Sequence, residues 1–164
     1  MSLLSNIKTF YINFIIILSI FILDRLTKLY VIHLDKIDSG TKIFSSKFLN
    51  IYLIWNEGIA FGLFSSNESS LYNFLTLFIL IIILVILYMM TKSSGLKKYS
   101  LLMILGGAIG NVFDRIIYKA VPDFIDFHVG NFHWFIFNVS DIFISVGVIL
   151  MVILELFDKP KKYK

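Results

Sequence analysis

The stretch Leu71–Met90, LYNFLTLFILIIILVILYMM, holds no charged residue. At roughly 1.5 Å of rise per residue, a helix of that length crosses a hydrocarbon core of about 30 Å. It reads as a membrane-spanning helix, and the rest of the chain agrees. Of 164 residues 58% are hydrophobic and 16% charged, with a mean hydropathy of +0.85, more apolar than a soluble core has room to bury. No cysteine is present, which excludes a disulfide framework, a thiolate metal site and a cysteine nucleophile. The net charge of +4 comes from lysines flanking apolar runs, a pattern of membrane orientation that argues against nucleic acid as a partner.

Three further apolar runs, at about residues 10–30, 99–118 and 138–157, each carry polar residues near one end. Phe10–Leu23 follows Lys8 as a signal peptide would, but it exceeds the apolar region of about 7 to 15 residues usual there and no small-x-small cleavage site follows. It is expected to be a retained span. The predicted fold class is an all-α membrane protein of four transmembrane helices with a small extracytoplasmic β-sheet, residues 1–164 forming one integral membrane domain. Its outer loops are about 31–70 and 119–137. If the N-terminus is cytoplasmic, Lys8, Lys92, Lys97, Lys98, Lys159, Lys161, Lys162 and Lys164 all fall inside in short segments, so both termini are placed in the cytoplasm.

That topology brings the intramembrane charges to one height. Asp24, Arg25 and Lys28 end the first span, Asp114 and Arg115 the third, and Asp141 begins the fourth. A charge at the bilayer centre costs about 2.5 to 3.5 kcal/mol and less near the interface, so clustering at one depth on three helices marks a site. In the outer loops, Lys47–Trp55 (KFLNIYLIW) reads as a strand followed by turn chemistry at Asn56-Glu57-Gly58. The aromatic run Phe124–Phe137 suits the membrane interface.

Asp123, just after the third span, and Asp141, in the first turn of the fourth, return to the same depth. Two carboxylates brought close in a low dielectric share a proton, so that one can activate water while the other polarises a carbonyl. Helix-end chemistry explains Asp141 equally well, because the macrodipole attracts acids there, and Asn138 is a good N-cap for the same helix. Asn111, Asp114 and Arg115 stand at i, i+3 and i+4 on one helix face, either holding a substrate carbonyl or neutralising one another. Asp24 and Lys28 read as an i, i+4 ion pair. Gly106-Gly107-Ala108-Ile109-Gly110 reads as a close-packing surface. His33, His128 and His133 form no helical i, i+4 pair and no H-E-x-x-H, so no metal site is expected and no cofactor. There is no G-x-S-x-G, and Ser65 and Ser145 lack a supporting histidine pattern.

The motifs in order resemble the bacterial lipoprotein signal peptidase (signal peptidase II) family over nearly the whole chain. They are Asp24-x-x-Thr27-Lys28, Asn56-Glu57-Gly58-Ile59-Ala60-Phe61-Gly62, the segment Gly106–Arg115, Val121-Pro122-Asp123-Phe124 and Asn138-Val139-Ser140-Asp141. The resemblance implies an aspartic endopeptidase of the bacterial cytoplasmic (inner) membrane. It would cut diacylglyceryl-modified prolipoproteins before their lipidated cysteine, at the extracytoplasmic face. It places the catalytic pair on Asp123 and Asp141 and substrate contacts on Asn56, Gly58, Asn111, Arg115 and Asn138. Asp24, Lys28 and Asp114 become supporting residues, and the expected partners are the substrates and membrane lipids around a monomer. Two departures stand out: Ser140 where the family commonly has alanine, its hydroxyl expected to bond a backbone carbonyl one turn back, and Pro122 where valine is more usual. The rival readings are a small ion- or proton-coupled transporter, for which no inverted repeat speaks, and an inactive assembly subunit.

Overall fold

The computed structural model describes residues 3–37, 41–57 and 68–157. Gly58 and the remainder of its glycine-containing motif, Ser65 and Lys159–Lys164 lie outside the described residues. The elements in order are α1 (Leu3–Ile37), β1 (Phe44–Ser45), β2 (Leu49–Asn56), α2 (Glu68–Lys92), α3 (Gly95–Tyr118), β3 (Val121–Val129), β4 (Phe132–Phe137) and α4 (Val139–Leu156).

Among the described residues three helices are long and apolar enough to cross a membrane: Asn73–Lys92, Gly95–Tyr118 and Val139–Leu156. Within those windows 61% of α3 is buried, against 6% for α2 and 11% for α4, which makes α3 the hub on which α1, α2 and α4 pack. Its glycines explain why. A Cβ on Gly106 would lie 3.0 Å from the Ile20 side chain of α1, and one on Gly107 would lie 2.5 Å from the backbone oxygen of Ser140 on α4. Small residues therefore let α1 and α4 approach α3 at backbone distance, as the glycine run suggested. The outward faces carry Phe14, Ile15, Phe78, Leu84, Ile149 and Val152, all exposed, a surface suited to lipid.

The chain is more than helices. The helix boundaries lie within a few residues of the apolar runs for α2, α3 and α4, whereas α1 extends well past residues 10–30 at both ends. Residues 119–137 are not a plain loop: they form the β3–β4 hairpin of a four-stranded antiparallel sheet ordered β1-β2-β3-β4. The fold is mostly helical with a small antiparallel sheet, as expected, and the sheet takes in residues 121–137 as well as the strand read at 47–55. Lys119, in the left-handed region at φ 60°, ends α3 with its N–H donating to the Arg115 oxygen (3.2 Å) and turns the chain straight into β3. Pro122 pairs with Trp55 of β2, and β4 joins β3 only from Ile125 onward, so the missing proline N–H falls where β3 has one neighbour.

The register of β2 against β3 shifts between Ile51 and Ile54: Ile51 faces Ile125, but Ile54 faces Asp123. One extra residue in β2 makes a bulge. Without it, alternation would point Asn50 and Asn56 to the same face; with it, Asn56 joins Asp123 on one face while Asn50 joins Asp126 on the other.

Candidate active site

Asp123 stands near the start of β3 and not in a loop, while Asp141 occupies the third helical position of α4. Asn138 joins them. It is the N-cap of α4 in a reciprocal capping box: its Oδ1 accepts from the Asp141 N–H (3.1 Å), and its own N–H donates to Asp141 Oδ2 (3.1 Å). The same side chain points Nδ2 at Asp123 Oδ1, 2.6 Å away, and at Asn111 Oδ1, 3.3 Å away. Asn111, one face in from the end of α3, donates Nδ2 to Asp141 Oδ1 at 2.8 Å. Asn56, at the end of β2, donates to Asp123 Oδ2 at 2.9 Å. The two carboxylates are thereby held by amide donors from β2, from α3 and from the N-cap of α4. The side chain that caps α4 is thus the same one that links Asp141 to Asp123.

Beneath the amides lies a buried charge cluster. Lys28 Nζ contacts Asp24 Oδ2 (2.8 Å), Asp114 Oδ2 (2.6 Å) and Asn111 Oδ1 (3.0 Å), and Arg25 pairs with Asp114 at 2.5 Å. Lys28, Asp24 and Asp114 are fully buried. Lys28 does more than the expected i, i+4 pairing: by holding the Asn111 oxygen it fixes which end of that amide faces Asp141. Asp24 also accepts from the Ser140 N–H (3.0 Å), which ties α1 to the start of α4.

Arg115 is half-buried and donates to the Asn111 backbone oxygen at 3.3 Å, so it stands beside the network. The Ser140 hydroxyl is buried with no hydrogen-bond partner among the described residues, contrary to expectation. The reason is its place in the first turn of α4, where no earlier turn offers a carbonyl.

Asp123 and Asp141 both open onto a cleft of about 440 Å³, with Asn56 beside them and Phe135, Phe137, Ile142 and Val146 as apolar walls. Burial pushes the Asp123 carboxyl up to about 6, against the hydrogen bonds from Asn56 and Asn138, with repulsion from Asp141 adding to the rise. Such a pair, one member disposed to hold a proton beside a half-buried carboxylate, has the properties of general acid and base chemistry. The metal-ligating types that gather among the described residues, Asp126, His128 and His133, do so on the opposite face of the sheet.

The profile of the family described as "Signal peptidase (SPase) II" matches residues 16–157. The chain is similar to a lipoprotein signal peptidase of Pelagibacter ubique (strain HTCC1062), 52% identical over 157 residues, covering 96% of this chain and 95% of that protein. A lipoprotein signal peptidase of Aquifex aeolicus (strain VF5) is 36% identical, covering 93% of this chain and 90% of its own. A solved structure described as a bacterial membrane enzyme superposes with a TM-score of 0.74 at 27% identity, covering 90% of this chain and 94% of its own. With the family profile matching residues 16–157 and relatives matched along almost their full lengths, the chain belongs to the signal peptidase II family.

Proposed function

We propose that this protein removes signal peptides from prolipoproteins by aspartic hydrolysis at Asp123 and Asp141. Its family membership makes it a protease. The observation that carries the assignment of residues is that carboxylates from β3 and α4 are locked into one hydrogen-bond network through Asn138 and Asn111 and open on a single apolar-walled cleft. In this reading Asp123, raised by burial, holds the shared proton and polarises the scissile carbonyl. Asp141, held by Asn111 and the Asn138 N–H, takes a proton from the attacking water. Asn56 and Arg115 flank the carboxylates and serve the substrate backbone as donors.

α1 is the fourth span, the N-terminus is cytoplasmic, and the sheet lies on the extracytoplasmic side of the cytoplasmic membrane. Support comes from Lys92 at the end of α2 and Lys97 and Lys98 in the first turn of α3, at the end of the helices away from the carboxylates. The substrate's signal segment reaches the cleft laterally, between lipid-facing helices, and is cut before its diacylglyceryl-modified cysteine. The test is a gel-shift assay with lipidated and unlipidated precursor. Asp123→Asn and Asp141→Asn should each insert normally and leave lipidated precursor uncut, and processing at the parent rate by either variant would sink the assignment.

A further inference from the structure

We propose that Asp126, His128 and His133 form a binding site for a divalent transition cation of the zinc type, on the sheet face turned away from the cleft. The inference does not depend on the peptidase reading. The β3–β4 hairpin closes through Gly130 and Asn131 with Val129 opposite Phe132, which sets His128 directly opposite His133. Their rings stack with centroids 5.2 Å apart and 21° between planes. Asp126 precedes His128 by two positions on the same side of β3, and its two oxygens lie 2.8 and 2.9 Å from His133 Nδ1. The ligand atoms all fall within 4.8 Å of one another.

Two imidazoles and a carboxylate are the donor set that zinc accepts with a fourth position left open. Bonds of about 2.0 to 2.1 Å in a tetrahedron place ligand atoms roughly 3.3 Å apart. The Asp126 to His133 spacing has only to open by about half an ångström, and the imidazoles close by turning on half-exposed side chains.

The surroundings are those of a built site. Asn50, opposite Asp126 on β2, aims Nδ2 at Asp126 Oδ2 (3.1 Å) and at His128 Nδ1 (3.3 Å). Its own oxygen is held by the Ser45 hydroxyl at 2.8 Å, which fixes the amide's direction. Facing an amide donor, His128 Nδ1 carries a lone pair, which Asn50 yields to the cation while its Nδ2 keeps the bond to Asp126 Oδ2. Tyr52 faces Asp126 from the same strand. The carboxylate is thus oriented by groups behind it before any ion arrives, as metal-binding carboxylates are. Asp126 is buried, while the side chain of His133 is 47% exposed and leaves an entry route. On binding, the cation takes the place of the proton on His133 Nδ1, which moves to Nε2 or to solvent.

The experiment uses the untagged full-length protein in detergent micelles, titrated with zinc chloride by calorimetry. One ion per chain is expected, with affinity reduced at least about tenfold in His128→Gln and in His133→Gln. His33→Gln, at the third and last histidine of the chain, should bind as the parent does. Should the hairpin variants fold poorly, the parent labelled with ¹⁵N-histidine gives an independent readout: two of three imidazole signals should move on adding zinc. Unchanged imidazole signals, or zinc affinity equal in the parent and in both hairpin variants, would leave a hydrogen-bonded ion pair and overturn the proposal.

Discussion

Replacing Asn138 by serine separates two roles that one side chain performs. Serine caps a helix as well as asparagine does, so the bond from the Asp141 N–H survives. It is too short to reach Asp123, and the 2.6 Å donation to Asp123 Oδ1 disappears. A hydrogen bond to a charged group is worth about 1.5 to 3 kcal/mol, and one pKa unit is 1.36 kcal/mol, so the Asp123 carboxyl should rise by roughly 1 to 2 units from its value of about 6. The sign follows from linkage. Asp123 is raised above its unfolded value, so its ionised form costs the fold stability above the folded pKa, and that cost is relieved as pH falls through it. Below about pH 5 the variant and the parent should therefore melt alike, and at pH 8 the variant should be weaker by about 1.5 to 3 kcal/mol. If cleavage needs one proton on the pair, the alkaline limb of its pH profile should move up by the same roughly 1 to 2 units. The assay is kcat/KM for a lipidated precursor between pH 5 and 9, with thermal unfolding in parallel. An alkaline limb that stays in place while Asn138→Ser remains folded would refute the chain of reasoning from donor to carboxyl to catalysis.

Lys28→Met should lower stability by about 3 to 5 kcal/mol, seen as loss of folded protein in detergent, because Asp24 and Asp114 would be left buried without their shared cation. Gly107→Ala should cut activity more than it cuts stability: its Cβ would meet the Ser140 backbone oxygen at 2.5 Å, and relief requires moving the first turn of α4 that carries Asp141. An alanine variant with parent kcat would argue that α4 can shift without cost. Ser140→Ala should raise stability by about 1 kcal/mol by deleting a buried hydroxyl without a partner, with cleavage unchanged; a lower melting temperature would show that the hydroxyl is used.

The helices were readable because lipid imposes a simple rule: α2 carries no charge from Leu71 to Met90, and nothing but a span accommodates that. The meeting of Asp123 with Asp141 was readable from topology, since antiparallel neighbours return to one depth. The hairpin was not seen, although Gly130-Asn131 between two β-rich runs is a two-residue turn signal. Aromatic richness at Phe124–Phe137 pointed to the membrane interface and drew attention from alternation. The histidines were searched for helical spacing, and it is cross-strand pairing that unites them. Lys28 was half-understood, because i, i+4 geometry predicts Asp24 but says nothing of Asn111 and Asp114 on another helix. Asn56 was placed by resemblance; its contact with Asp123 depends on a register shift that no local pattern announces.

That shift in β2 amounts to a parity correction. From Asn50 to Asn56 the count is even, which in an uninterrupted strand would send both amides to the same side. Pairing the same residues without the bulge would give a straighter strand, yet Asn56 would swing to the histidine side and leave Asp123 without that donor. A single unpaired residue is what lets one thin sheet present two different chemistries, back to back.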